Sequence, residues 1–311
     1  MLKMLLHTVT GVLALLVIGL STLLLSTLIV ALAMVMLLVP EGRGRHVVRR
    51  LITGLAETWI AVNNLILSLY PGTNWDIRID TGLDRRGCYL VLANHQSWVD
   101  ILVLQKCFNR KLPLLRFFLK KQLIWVPFLG VAWWALDFPF MHRASRADLR
   151  KRPELRGADL ESARRACEIF ANVPVAMMSF PEGTRFTEAK RVTTDSPYRH
   201  LLKPKAGGAG AVLYALGKRL DGCIDVTIVY PGRAPGQSAP SFWQLVSGQV
   251  SRVVVRATRR EIPPALLGAN DPQDPQTRQL LQDWMTRAWQ DKDQQIETII
   301  SRQATLATSA P

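Results

Sequence analysis

His95 and Asp100 stand five positions apart in the stretch Asn94-His95-Gln96-Ser97-Trp98-Val99-Asp100. On a regular helix two side chains so spaced point away from each other. With His95 in a corner ahead of a helix, its ring folds back over the first turn. Asp100 then holds one ring nitrogen, and the other is left free as a base. This is the base and orienter of a triad without a protein nucleophile, so the attacking group is a substrate hydroxyl. A second group follows some 85 residues later, Phe180-Pro181-Glu182-Gly183-Thr184-Arg185. Gly183 permits a tight turn and close backbone approach. Arg185 can grip a phosphate with two parallel N–H bonds, which a lysine cannot. Glu182 either holds the acceptor or structures the turn.

The elements that must position these groups are legible nearby. Residues 89–93 are an apolar run long enough for a buried strand, and Asn94 is a good helix N-cap. Ile101, Leu102 and Leu104 begin an apolar helical face, which puts His95 at a strand-to-helix corner and Asp100 about one turn into the helix. Residues 173–180 form another apolar run, so the Glu182 block also follows a strand. Ser97 has no GxSxG elbow and reads as a capping or packing residue. Cys107 and Cys167 read as core thiols. His7, His46, His142 and His200 lack metal-ligand spacing, and no metal is expected.

The bulk numbers narrow the partner. The 311 residues suffice for one large α/β domain and an anchor. The four cysteines form no CxxC pair, which fits a reducing compartment. A net charge of +15 demands an anionic partner, nucleic acid or an anionic membrane surface. The N-terminus favours the membrane. From Met4 to Pro40 the only ionisable side chain is His7. As one helix this is roughly 54 Å at about 1.5 Å per residue, against a hydrocarbon core of about 30 Å. It is either a tilted single helix or a helical hairpin turning near 19–22. Arg43, Arg45, Arg49 and Arg50 follow and put that flank on the cytoplasmic side. Residues 51–70 read as an interfacial helix or the first helix of the soluble domain.

Further on, residues 75–81, 114–119, 136–141, 225–230 and 252–258 read as strands. Residues 143–165 carry a basic run that is a solvated face or a contact for headgroups or an acyl carrier. Residues 186–200 read as a polar loop over the site, with Pro197 breaking any helix. Lys203-Pro204-Lys205-Ala206-Gly207-Gly208 opens a helix through Leu216 and can hold phosphate on backbone donors. Residues 231–241 read as a loop, 268–277 as a linker and 279–300 as an amphipathic helix. The resulting organisation is an anchor at 1–42, an interfacial helix at 43–72, a catalytic domain at 73–268, a C-terminal helix at 269–301 and a disordered tail at 302–311.

The pair Asn-His-x4-Asp and Phe-Pro-Glu-Gly-Thr-Arg resembles the glycerolipid acyltransferases, whose best known members act on 1-acylglycerol-3-phosphate. The likeness runs over roughly 75–260. Phe140-Met141-His142-Arg143 fits the family, whereas Gln122 stands where it normally has Glu. Trp289 and Lys292-Asp293 are similar to the bacterial YihG-type branch, related to eukaryotic lysocardiolipin acyltransferases. The resemblance implies a mixed, mostly parallel sheet flanked by helices. It implies O-acyl transfer from acyl-CoA or an acyl carrier protein to a lysophospholipid, such as lysophosphatidic acid or another lysolipid, at a bacterial inner membrane. It needs no cofactor beyond the acyl donor. His95 and Asp100 are then catalytic, and Glu182, Gly183, Thr184 and Arg185 bind the acceptor. Arg143, Lys121 and Lys205 are the further phosphate candidates. A basic protein binding RNA without chemistry would leave His95 and Asp100 unused, and aromatic-interleaved basic motifs of that type are absent.

Overall fold

The computed structural model describes residues 1–69, 72–80, 82–141, 162, 164–167, 169–170, 173–232, 239–267 and 274–308. Arg143 and almost all of the basic run at 143–165 lie outside the described residues. The core is a six-stranded sheet. Its strands are β1 (Asn74–Ile79), β2 (Cys88–Ala93), β3 (Leu115–Phe117), β6 (Val175–Ser179), β7 (Gly222–Val229) and β8 (Arg252–Arg260), in the order β1-β8-β7-β2-β6-β3. Every neighbouring pair is parallel except β7 with β8, so the sheet is mixed and mostly parallel. A second, two-stranded sheet pairs β4 (Leu119–Lys120) with β5 (Phe140–Met141). The expected strand at 114–119 therefore divides between the two sheets, and the one at 136–141 is confined to its last two residues.

Every residue of β2 is buried, as its continuous apolar run requires of a central strand covered on both faces. Leu90 and Leu92 point to a layer formed by α6 (Gly207–Leu216) and α9 (Pro275–Thr308), with Val212, Leu213, Trp284 and Trp289. Tyr89, Val91 and Ala93 point the other way, onto Val99, Val103 and Phe108 of α3 (Val99–Phe108). Each such fully buried large side chain contributes about 1.5–3 kcal/mol. Lys292 of α9 is buried too, its Nζ donating to Asp225 Oδ1 and to the Val226 carbonyl at 2.6 Å. Asp225 also accepts from Arg260 Nε at 2.9 Å. Removing one member of such a buried pair costs about 3–5 kcal/mol, because the other charge is left uncompensated.

α1 (Leu2–Leu38) is one continuous helix of 37 residues, without a turn at 19–22. The reversal comes at 39–42, after which α2 (Arg43–Ser68) packs back along it, with Trp59 Nε1 donating to Thr22 Oγ1 at 2.9 Å. α2 also packs against the part of the chain that holds the sheet. Glu57 is buried and accepts two bonds from Arg85 Nη2, at 2.7 and 2.8 Å, while Asn109 and Lys106 of the α3 region donate to carbonyls of α2. Both α1 and α2 are long and apolar enough to cross a membrane. α1 touches the domain near both ends. His7 Nδ1 lies 2.8 Å from the Ser247 carbonyl, just after α7 (Phe242–Val246). Near the other end Ile29, Ala33 and Met36 share a core with Ala132 and Ala135 of α4 (Leu129–Ala135).

Three short helices depart from the sequence reading. The expected polar loop at 186–200 contains α5 (Glu188–Thr193), whose first turn is capped by the Thr187 side chain. The expected loop at 231–241 is followed by α7, closed by a capping box between Ser241 and Gln244. α8 (Pro264–Leu267) precedes the C-terminal helix. α9 itself continues through Thr308, beyond the tail boundary expected at 302.

Candidate active site

The parallel arrangement of β2, β6 and β7 brings their C-terminal ends to one edge of the sheet. His95 follows β2, Glu182 follows β6 and Tyr230 follows β7. At that edge His95 Nδ1 is 2.9 Å from Asp100 Oδ2. The same oxygen accepts from the amides of Gln96 at 2.6 Å and Ser97 at 2.8 Å. The other oxygen accepts from the Tyr230 hydroxyl at 2.6 Å. Asp100 has no exposed surface, so its carboxylate is held from all sides. Such a carboxylate fixes the proton on Nδ1 and leaves Nε2 as the acceptor. The imidazole also stacks on Phe180, with centroids 4.0 Å apart and planes 14° from parallel.

Asn94 is not the helix cap expected from its residue type. Its amide exchanges two hydrogen bonds with the backbone of Ile228, at 2.8 and 2.9 Å, and so adds a rung to the β2–β7 ladder. The start of α3 is served by Ser97 and Asp100. Ser97 Oγ donates to the Pro240 carbonyl and accepts from the Val99 amide. A serine engaged in this way is a capping and tethering residue. Asp100 is the second residue of α3, not a full turn inside it. It reaches back to the corner, and this is how a spacing of five brings the two groups together.

Glu182 ties the second motif to the first. Its Oε1 accepts from the His95 amide at 2.8 Å and its Oε2 from the Leu202 amide at 2.9 Å. The Phe186 amide donates in turn to the His95 carbonyl at 2.7 Å. Glu182 is 1% exposed. Of the two readings left open by the sequence, the observed contacts are those of a residue structuring the turn. Burial pushes its carboxyl up to about 8, with Asp100 adding to the effect and the two amides and Lys292 opposing it. Between its ordinary value of 4.5 and about 8 the folded chain keeps a proton that the unfolded chain has released. Stability therefore falls as pH rises through this window. Thermal unfolding in one detergent should show the midpoint falling more steeply from pH 5 to 8.5 in the wild type than in Glu182→Gln. Equal slopes would assign the titration to other groups.

Gly183 has φ +70, a left-handed conformation that glycine adopts without strain, and Lys205 Nζ sits over it. The Lys205 amide donates to the Pro181 carbonyl at 2.8 Å. Lys190 of α5 bonds Thr184 Oγ1 at 2.8 Å and the Arg185 carbonyl at 2.9 Å. The exposed Arg185 guanidinium lies 5.3 Å from the centre of the Trp98 ring. The structure thus gathers His95, Asp100, Glu182, Gly183, Thr184, Arg185 and Lys205 at one place. Lys121 begins the 3₁₀ turn Lys121–Trp125, is exposed, and has no hydrogen bond or ion pair to that group among the described residues. Arg143 lies outside the described residues. Tyr230, Phe180, Lys190 and Trp98 were not singled out by the sequence. Tyr230 is 130 positions from Asp100, and the one local signal is its place at the end of a strand before Pro231-Gly232. All four cysteines are buried, and burial pushes the Cys107 and Cys167 thiols up to about 12. Among the described residues no three His, Cys, Asp or Glu side chains converge as a metal set would.

Lysocardiolipin acyltransferase 1 from Mus musculus is 24% identical over 258 residues, covering 78% of this chain and 62% of the relative. Its counterpart from Danio rerio is 24% identical over 274 residues, covering 84% and 64%. The chain therefore spans a little under two thirds of the length of these curated relatives. The crystal structure of the 1-acyl-sn-glycerophosphate (LPA) acyltransferase PlsC from Thermotoga maritima aligns over 97% of this chain and 99% of its own. Its TM-score is 0.49 and its identity 15%. The acyltransferase family model matches residues 76–231, half of the chain. That stretch holds β2, β6 and β7 together with His95, Asp100, Glu182, Arg185, Lys205 and Tyr230, and the chain belongs to the acyltransferase family.

Proposed function

We propose that the chain transfers a fatty acyl group from acyl-CoA or an acyl carrier protein to the free hydroxyl of a lysophospholipid, in the first instance lysophosphatidic acid. The carrying observation is the His95–Asp100 pair, with Nε2 left over beside the turn that bears Arg185, over which Lys205 packs. His95 Nε2 takes the hydroxyl proton while the oxygen attacks the thioester carbonyl. The C–S bond then breaks, and the departing thiolate takes the proton back from the imidazolium. Asp100 steadies the ring throughout, Glu182 holds the corner in place, and Arg185 receives the acceptor phosphate with Lys205 and Thr184 beside it. The names of the curated relatives favour a second acceptor, lysocardiolipin or a related lysolipid such as lysophosphatidylglycerol. Thiol release by the purified chain with a panel of lysolipids tests the reading. No release above the rate of His95→Ala with any acceptor would refute it.

Arg185→Ala should raise the acceptor KM by about 10–100-fold, the loss expected for charge-assisted bonds of about 1.5–3 kcal/mol. The donor KM should stay within twofold on the same scale, and Arg185→Lys should recover part of the loss. An unchanged acceptor KM would move the phosphate elsewhere.

The contacts of α1 support a membrane placement. Its two contacts with the domain, at His7 and at Ala33 to Met36, are roughly 40 Å apart at about 1.5 Å per residue. A helix crossing a core of about 30 Å would put one of those contacts on the far side of the bilayer. We therefore place α1 along one leaflet, packed on α2 and on the domain near both of its ends. Arg43, Arg45, Arg49 and Arg50 lie at the headgroups, and the domain faces the cytoplasm at a bacterial inner membrane.

A further inference from the structure

The segment between β4 and β5 presents an aromatic surface that the acyl-transfer chemistry does not use. Trp125 is 85% exposed and Phe128 51%, and Val131 and Trp134 are exposed beside them. Large apolar side chains grouped in this way are unusual on a surface that faces only water. The backbone holds them outward. Phe128 has φ +59, a left-handed conformation that an aromatic residue seldom adopts. Gly130 packs so closely under the Ile124 carbonyl that no Cβ would fit, which clamps the Lys121–Trp125 turn against the start of α4. The turn that carries Trp125 and the start of α4 are thereby held together.

We infer that this 3₁₀ turn and α4 form a second membrane-insertion element, a wedge that seats in the lipid interface beside α1. The inference rests on the membrane placement proposed above. Two observations choose lipid over a protein partner. First, the patch continues the apolar surface of α1. The opposite face of α4, through Ala132 and Ala135, packs on Ile29, Ala33 and Met36, and the exposed Leu37 and Leu38 end that helix. Second, the base of the wedge is cationic, with Lys120 and Lys121 exposed just before Trp125 and the arginines of α2 following α1. Tryptophan at headgroup depth with lysines reaching to phosphates is the composition that an anionic interface selects. Phe242 and Trp243, exposed on α7 near the other end of α1, are the counterpart that an in-plane helix needs. The wedge leads out of β4, next in the chain to β3, which pairs with the β6 strand that delivers Glu182. Its depth therefore sets the height of the site above the headgroups.

Because the four native thiols are buried, one introduced surface cysteine can be labelled selectively. Trp125→Cys and Phe128→Cys, each carrying an environment-sensitive fluorophore, are compared in the full chain on phosphatidylethanolamine–phosphatidylglycerol vesicles. Leu16→Cys reports α1, and Arg78→Cys on the opposite edge strand reports water. Doxyl-labelled lipid should quench the probes at 125 and 128 at least roughly twofold more than the one at 78, most strongly with shallow doxyl groups. Quenching at 16 but only water-like behaviour at 125 and 128 would overturn the wedge alone. A blue shift at 125 and 128 without lipid quenching would also overturn it, showing that protein covers the patch. Loss of quenching at 16 as well would bring down the membrane placement together with the wedge.

Discussion

His95→Ala should lower kcat/KM for acyl transfer by about 10²–10⁴-fold, the range for losing a positioned general base. The size follows from the site. The substrate hydroxyl is a poor nucleophile until its proton is taken, and Nε2 is the ring nitrogen left over once Nδ1 is held by Asp100. In the proposed reaction the thioester is already activated, and the headgroup contacts proposed at Arg185 and Lys205 remain in the variant. Acceptor KM should therefore change far less than kcat. The pH–rate profile is the sharper readout. The wild type should lose activity toward acid pH, whereas the variant's residual rate should lack that limb. A variant with wild-type rate and profile would remove His95 from the chemistry. The fold should survive, because the backbone amide of His95, not its ring, makes the bond to Glu182.

Asp100→Asn should cost about 10³–10⁴-fold in kcat, close to the loss of an orienting carboxylate in a Ser-His-Asp triad. The substitution keeps the shape and changes the hydrogen-bond grammar. Oδ2 now accepts from the imidazole and from two backbone amides, and Oδ1 accepts from Tyr230. An asparagine supplies one accepting oxygen and one donating nitrogen. If the NH₂ takes the Oδ2 place it opposes two amide donors, and the imidazole must put its proton on Nε2, where a base cannot carry it. If the NH₂ takes the Oδ1 place, Tyr230 must turn its hydroxyl to accept, and the imidazolium formed in the reaction loses its counter-charge. Either arrangement slows the proton transfer. Kinetics with a lysophosphatidic acid acceptor, alongside a thermal melt, separate this from simple destabilisation. A fully folded Asp100→Asn with more than about a tenth of wild-type kcat would show that orientation comes from elsewhere, such as the Phe180 stack.

Other parts of the molecule depended on distant contacts. Asn94 has the residue type of a helix cap, and locally nothing argues against it. Only the arrival of Ile228, 134 positions later, turns it into a rung of the sheet. Residues 186–200 look like a polar loop because α5 is short and exposed, with no apolar face to mark it. The N-terminal helix was legible as an apolar stretch longer than one straight crossing needs. Whether it bent at 19–22 was decided by its neighbours, since Trp59, Trp243 and α4 support a straight helix along its whole length.

The sequence by itself supplied the groups on which the proposed chemistry rests. A base, a carboxylate, a turn glycine and a bidentate cation occur at spacings that local geometry can satisfy, next to apolar runs that must be central strands. Tertiary structure alone decided which group serves which. Parallel strands bring chain ends remote in sequence to one edge, and burial there leaves every polar atom in need of a partner. That is why Tyr230 meets Asp100 and why Glu182 turns inward to the His95 amide. Backbone direction and desolvation are properties of the assembled sheet, and no window of residues carries them.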